Sequence, residues 1–175
     1  SSSGSNQHES EKGNPAVTTV DDGFEHLVSE NRIHRSIYVD PQVFEAELRR
    51  IFGRNWIYVG HQSQVPTPGS FAASWIGQQP VILPRALDGE LHVLFNRCSH
   101  RAATVCQERN GTSRQLRCDY HGWTFRLDGT LIAPTFADGY DSNGFDVADY
   151  SLGRPEQVDQ YRGFVFANLS PDGPT

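Results

Sequence analysis

The chain has 175 residues, a net charge of −6 and 37% hydrophobic residues, which is room for one domain of ordinary size or for a domain with a tail. The acidic balance argues against a nucleic-acid binder that neutralises phosphates, and no apolar run approaches the roughly 18 residues of a membrane span. No basic and apolar leader opens the sequence, so we expect a cytoplasmic protein that contacts neither nucleic acid nor membrane.

The N-terminal part predicts a tail followed by a helix. Residues 1–30 are polar and lack period, which predicts a flexible tail with a start typical of an expression-tag remnant; an arm packed on a partner subunit is the alternative. Residues 31–55 predict a helical segment, with Asp40 as N-cap, Pro41 at the first helical position and Gly53 as the stop signal. The apolar residues that recur at helical spacing, and that we expect to face the core, are Phe44, Leu48, Ile51 and Phe52.

Residues 56–175 change to short strands separated by turns. Strands are predicted at residues 56–60, 71–76, 80–84, 91–96, 114–118, 123–127 and 161–169. Asp88-Gly89 and Asp128-Gly129 lie between such runs, as hairpin turns do, and residues 134–160 predict a long loop. This pattern predicts a mainly β fold, an antiparallel β sandwich or barrel with a short N-terminal helix.

Two short segments each pair a cysteine with a histidine. Cys98 and His100 form C-x-H, and after seventeen residues Cys118 and His121 form C-x-x-H. Two sulfur and two nitrogen ligands suit zinc or an iron–sulfur centre. A zinc finger usually groups its ligands by type, whereas each segment here mixes them, which suits two distinct irons, one with both cysteines and one with both histidines. That is the Rieske [2Fe–2S] arrangement, and a structural zinc site is the alternative.

The surrounding sequence resembles one family. The run CSHRAATVCQERNG…LRCDYHGWTFRLDGTL resembles the Rieske motif of ring-hydroxylating (aromatic) dioxygenase α subunits, and FEAELRRIFGRNWIYVGH and YRGFVFANLSPDGPT resemble flanking parts of those subunits. The resemblance covers residues 36–175, so residues 56–175 are expected to form the Rieske domain. It implies that Cys98 and Cys118 bind the inner iron and that His100 and His121 bind the outer iron, nearer the surface.

One residue departs from the family pattern. Ala102 stands where members often have glycine after C-x-H-R. If that position needs a positive φ, alanine is strained there, and we expect a small local shift with an intact cluster.

Other residues near the motif are expected to surround the cluster. Trp123 is expected to shield it, Tyr120 lies beside a ligand, and Arg101 is either an ion-pair partner for a neighbouring subunit or a surface charge. Cys106 has no partner cysteine and is expected to be a buried small apolar residue, with redox sensing as the alternative.

The expected redox potential follows from the residues after the second histidine ligand. Respiratory-type Rieske proteins place two hydroxyl groups there, at the positions that Trp123 and Phe125 occupy in this chain. Because neither side chain can donate an O–H to sulfur, we expect a potential near the low end of the Rieske range, about −150 mV.

The resemblance implies an electron-transfer role. Electrons would come from a ferredoxin or a flavin/iron–sulfur reductase and pass to a mononuclear non-haem Fe(II) in a neighbouring subunit, for O2-dependent aromatic hydroxylation. No histidine follows His121, so the 2-His-1-carboxylate site is expected in a C-terminal catalytic domain absent from this sequence. The family also implies an α-subunit trimer, with or without β subunits. A free Rieske-type ferredoxin and a zinc-stabilised binding module are the alternatives.

Overall fold

The computed structural model describes residues 23–135, 139–140 and 144–174. Residues 1–22, most of the predicted tail, lie outside them. Within the described residues, every strand pair is antiparallel. The strands are β1 Val28–Ser29, β2 Arg32–Ile33, β3 Ile57–His61, β4 Ser70–Ile76, β5 Gln79–Pro84, β6 Leu94–Phe95, β7 Asn110–Thr112, β8 Leu116–Arg117, β9 Thr124–Phe125, β10 Leu131–Ala133, β11 Gln157–Tyr161 and β12 Phe164–Asn168.

Helical structure is short, as the sequence predicts. The helix α1 spans Pro41–Glu47 and a π turn over Leu48–Phe52 extends it. Single 3-10 turns occupy Glu25–Leu27, Arg35–Tyr38, Gln62–Gln64 and Val147–Tyr150. No helix among the described residues is both long and apolar enough to cross a bilayer.

Three sheets form the body of the part of the chain that the structure describes. The strand orders are β6-β5-β4-β7, β11-β12-β3 and β10-β9-β8, and β1-β2 is a separate hairpin. The strand β5 lies between two hydrophobic cores, because successive side chains of a strand point to opposite faces. Val81 and Leu83 pack with β3 and β12, whereas Ile82 packs with β8, β9 and β10. The apolar run over residues 80–84 is therefore a strand buried on both faces.

The ends of α1 are those that the sequence predicts. The Asp40 carboxylate accepts a hydrogen bond from the Gln42 N–H at 2.8 Å and so caps the helix. Pro41 is the first helical residue. At the other end the Gly53 N–H donates to the Leu48 carbonyl at 2.9 Å, five residues back, which closes the π turn.

The predicted packing face of α1 is wrong in part. Val43 and Ala46 are the residues that α1 buries, whereas Phe44 and Ile51 are 46% and 47% exposed. The π turn over Leu48–Phe52 changes the angular spacing of the side chains, so a strict 3.6-residue period does not hold through it. The first and last residues of that turn pack against the β4–β5 connection.

Several strands fall where none is predicted. The strand β11 lies inside the predicted long loop at 134–160 except for its last residue, Tyr161, and β7 and β10 were not expected either. The edge strand β11 is mostly exposed and carries polar residues, so its pairing with β12 leaves little apolar signal. Residues 25–29, placed in the predicted tail, form a turn and β1, with Leu27 buried.

Candidate metal centre

Two loops with the same backbone geometry carry the four predicted ligands. The first ligand loop, residues 97–104, follows β6, and the second ligand loop, residues 118–123, joins β8 to β9. In each loop the N–H four positions after the cysteine donates to the carbonyl of Cys98 or Cys118 at 2.8 Å. Each cysteine N–H in turn donates to the carbonyl five positions on, again at 2.8 Å. The two loops are therefore two copies of one tight turn.

The position four residues after the cysteine is left-handed in both loops. Ala102 has a φ of 58° and Gly122 a φ of 75°. Position 102 therefore does have the positive φ considered in the sequence analysis, and an L-residue such as Ala102 is strained there. A Cβ on Gly122 would lie 2.9 Å from Thr135 Oγ1, so the second loop needs glycine for space as well as for φ.

The loops bring the four ligands together as two like pairs. The thiols of Cys98 and Cys118, 3% and 1% exposed, hydrogen-bond each other. The rings of His100 and His121 lie 4.7 Å apart between centroids at an interplanar angle of 70°, and both are half-buried. The sulfur pair is therefore inside and the imidazole pair is nearer the surface. Among the described residues no three or more His, Cys, Asp or Glu side chains surround a single metal position.

The imidazole of His100 is in the form that binds a metal. Desolvation first, and then the nearby His121 and Arg101, hold the pKa of His100 below its usual value, which favours the neutral ring. Its Nδ1 is buried and has no hydrogen-bond partner among the described residues. A buried polar atom without a partner is costly, and a neutral imidazole nitrogen with a free lone pair is a metal ligand. The residues present therefore fit a metal group at this position.

The sulfur of Cys98 sits among backbone donors. Burial raises the pKa of the Cys98 thiol, and the neighbouring Cys118 thiol raises it further. The backbone N–H groups of His100 and Arg101 donate to this sulfur and act in the opposite direction. A metal-bound cysteine is a thiolate, so the same two N–H groups would stabilise its negative charge.

Aromatic rings pack around the imidazole pair. Trp123, 1% exposed, stacks on His100 with 4.7 Å between ring centroids and 9° between planes. The ring of Tyr120, mostly exposed, lies 3.9 Å from that of His121, and Arg101 is exposed. The rings that meet Trp123 edge-on are Tyr140, Phe145 and Tyr150. Trp123 therefore seals one side of His100 from water.

Hydroxyl groups near the loops are engaged elsewhere. Trp123 and Phe125, which occupy the positions discussed for the redox potential, are both buried and carry no hydroxyl. The hydroxyls of Ser99, Thr124 and Thr135 all donate to backbone carbonyls. These observations agree with the sequence-based expectation of a low potential.

Two further residues near the first ligand loop, Cys106 and Asn96, are buried. Cys106 is buried, its thiol donates to the Glu108 carbonyl at 3.5 Å, and burial raises its pKa; this fits a small core residue and disfavours a reactive thiolate.

Asn96, which sequence reasoning missed, is buried beside the first ligand loop. Its signal was its place in the run over residues 91–96, where a two-residue period puts it on the same face as the buried Leu94.

Comparison with known proteins identifies the family. The model of the Rieske [2Fe-2S] domain matches residues 55–143, just over half of the chain. The chain belongs to this family. Toluate 1,2-dioxygenase subunit alpha of Pseudomonas putida is 36% identical over 147 residues, which are 81% of this chain and 32% of that protein. The 2-halobenzoate 1,2-dioxygenase large subunit of Burkholderia cepacia is 39% identical over 145 residues, 81% of this chain and 31% of that subunit.

The fold agrees with a solved Rieske protein. Naphthalene 1,2-dioxygenase from Rhodococcus sp., bound to indole, superposes with a TM-score of 0.76 and 31% identity, over 80% of this chain and 32% of that chain. The antiparallel β fold with one short helix is therefore the Rieske fold, as the sequence predicted. The chain spans about a third of the length of the relatives that it matches.

Proposed function

We propose that Cys98 and Cys118 bind one iron of a [2Fe–2S] cluster and that His100 and His121 bind the other. The observation that carries this proposal is the pairing of like ligands, thiol with thiol and imidazole with imidazole. A cluster of two irons takes two protein ligands at each iron, whereas structural zinc needs all four ligands around one ion. The unpartnered Nδ1 of His100 is the nitrogen that this proposal uses.

The cluster assignment is tested on the purified chain. We expect two irons and two acid-labile sulfides per chain and a red-brown colour. The dithionite-reduced protein should give an EPR spectrum whose average g lies below that of clusters with four cysteine ligands. A colourless protein with one zinc per chain would establish the binding-module alternative instead.

We further propose that the chain is the electron-transfer part of an aromatic-ring-hydroxylating dioxygenase α subunit. The relatives are named toluate, 2-halobenzoate and naphthalene dioxygenases, and they match the segment with α1 as well as the ligand loops. In this proposal a ferredoxin or flavin/iron–sulfur reductase supplies single electrons, and a mononuclear non-haem Fe(II) in a catalytic domain of the longer protein receives them. The bound cluster supplies one-electron redox chemistry.

The chain's own residues would support this role in three ways. The buried cysteines hold the inner iron away from solvent, and the half-buried imidazoles of His100 and His121 place the outer iron where an electron leaves over the shortest distance. Trp123 excludes water from His100. The exposed Arg101 and Tyr120 lie beside the two histidines, where a second α subunit of a trimer would contact them. We also propose the cytoplasm as the location and an α-subunit trimer, with or without β subunits, as the assembly.

Two measurements test the oxygenase assignment. An EPR-monitored redox titration should give a midpoint of about −150 mV, because Trp123 and Phe125 carry no hydroxyl that could donate to the sulfurs; a potential above zero would contradict it. The protein encoded by the natural gene, supplied with reductase, NADH and benzoate or naphthalene, should incorporate label from ¹⁸O2 into the aromatic product. A natural gene that stops at Thr175 would establish the free ferredoxin instead.

A further inference from the structure

The two ligand loops are alike in their turns but differ at their bases. The second ligand loop is closed by a strand ladder, in which Leu116 pairs with Phe125 and Arg117 with Thr124. The first ligand loop leaves β6 after Phe95, and the chain returns past it at residues 105–106 without any strand pairing. Something other than a ladder must therefore hold the base of the first loop together.

The side chain of Asn96 makes the connections that a ladder would make. Its Oδ1 accepts the N–H groups of Val105 at 3.1 Å and Cys106 at 2.8 Å. Its Nδ2 donates to the Cys106 carbonyl at 2.7 Å. An amide side chain carries both an acceptor and a donor, as a peptide group does, so it can replace one residue of a partner strand.

Asn96 is itself fixed to the central sheet. It is 5% exposed, and its own N–H donates to the Pro80 carbonyl on β5 at 2.9 Å. A buried amide is stable only when its hydrogen bonds are made, and here both ends of the side chain are bonded inside the protein. The chain of contacts therefore runs from β5 through Asn96 to the far end of the first ligand loop.

We propose that Asn96 is a positioning residue for the first half of the metal centre. By clamping residues 105–106 to the start of the loop, it keeps Cys98 and His100 in place and holds the N–H groups of His100 and Arg101 on the Cys98 sulfur. Hydrogen bonds to cluster sulfurs raise the potential, because they stabilise the more negative reduced state. This inference rests on the proposed [2Fe–2S] cluster.

A matched pair of variants separates positioning from general stability. Asn168 is also fully buried, accepts the Ser170 N–H at 2.9 Å and donates to the Arg54 carbonyl at 3.2 Å, and belongs to β12 rather than to a ligand loop. Both Asn96→Ala and Asn168→Ala should lower the denaturation midpoint. Only Asn96→Ala should speed cluster loss to a chelator, by about 10–100-fold, and shift the midpoint potential downward with changed EPR g values.

A second variant covers the case in which Asn96→Ala does not fold. Asn96→Asp keeps both acceptor bonds and loses the donor to the Cys106 carbonyl, so its cluster loss should lie between that of wild type and that of a full truncation. Amide hydrogen exchange, measured on the cluster-loaded protein, should still show protection at Val105 and Cys106 in this variant, because their acceptor remains. It should show faster exchange at both amides in Asn96→Ala and unchanged exchange there in Asn168→Ala.

The outcomes distinguish the inference from the proposal beneath it. A wild-type protein without the Rieske EPR signal would contradict the cluster assignment. A wild-type protein with that signal, together with Asn96 variants that match Asn168→Ala in cluster-loss rate, potential and g values, would overturn the positioning role alone.

Discussion

Replacing Ala102 by glycine should stabilise the protein, although it removes a methyl group. Ala102 holds a φ of 58° at the position where the equivalent loop has Gly122. Its backbone cannot relax, because its N–H donates to the Cys98 carbonyl at 2.8 Å and so closes the turn. Since Ala102 is exposed, losing the methyl group costs little packing.

The expected gain is a difference between two effects. A left-handed conformation costs an L-residue about 1–2 kcal/mol relative to glycine. Glycine is more flexible in the unfolded chain, which costs about 0.4–1 kcal/mol on folding. The net stabilisation is therefore about 0.8 kcal/mol, which for a chain of this size raises the melting temperature by roughly 2–3 °C.

The assay is thermal unfolding of the cluster-loaded protein at one fixed scan rate, followed by visible absorbance and far-UV circular dichroism. Gly122→Ala is the reverse change in the equivalent loop. It should lower the melting temperature by several degrees, because the new Cβ would lie 2.9 Å from Thr135 Oγ1, whose hydroxyl bonds the His121 carbonyl.

Arg162→Gly is the control away from the metal centre. Arg162 also has a positive φ, 49°, in the β11–β12 turn, but its guanidinium lies 5.4 Å from the Tyr161 ring centre, so part of the gain is offset by the loss of a cation–π contact. An Ala102→Gly protein that melts at or below the wild-type temperature would refute the strain argument. If Arg162→Gly raises the melting temperature but Ala102→Gly does not, the strain argument would fail for the first ligand loop only.

Three further predictions concern the ligand assignment, the shielding by Trp123 and the pH dependence of stability. Cys118→Ser should abolish the visible spectrum and Cys106→Ser should retain it; equal spectra in an absorbance scan would contradict the ligand assignment. Trp123→Ala should lower the free energy of unfolding in urea by about 3–5 kcal/mol. This variant should also lose its cluster faster on desalting, and a fully retained cluster would argue against shielding by Trp123. Burial raises the pKa of Asp128, but the N–H and hydroxyl of Thr130 outweigh it and leave a lowered value. A depressed carboxyl pKa stabilises the fold above the unfolded-state value of about 3.9, and this is lost as pH falls through the folded-state pKa. The difference in unfolding free energy between wild type and Asp128→Asn should be full at pH 6–7, because this range lies well above the Asp128 pKa in both the folded and the unfolded state. It should shrink below about pH 4, and a difference that does not depend on pH would contradict the argument.

The metal centre could be predicted from the sequence because its requirements are local. A thiolate and an imidazole within three or four residues must lie on one tight turn, and two such turns supply a complete ligand set. The left-handed position could also be anticipated, because members of the resembling family often have glycine where Ala102 stands. The mixed order of ligands within each segment also predicted the pairing of like ligands, whereas the stacking of Trp123 on His100 depends on how the two loops face each other.

The missed elements depend on tertiary contacts. The strand β11 carries polar residues and exists because β12 offers it a full ladder of partners. The face of α1 was misjudged because a π turn interrupts its period. Asn96 could be predicted as a buried polar residue in an apolar run, but its three partners at residues 105–106 lie beyond any local pattern.

The difference in how the two ligand loops are closed has a consequence for the proposed cluster. A hairpin ladder spreads its hydrogen bonds over the backbone of four residues, so the base of the second ligand loop does not depend on a single side chain. In the first ligand loop, the side-chain amide of Asn96 alone makes the corresponding hydrogen bonds. The same loop also carries the strained Ala102. Perturbations should therefore act unequally: substitutions near Cys98 and His100 should change the potential and the rate of cluster loss, whereas comparable substitutions on β8 and β9 should act mainly on stability.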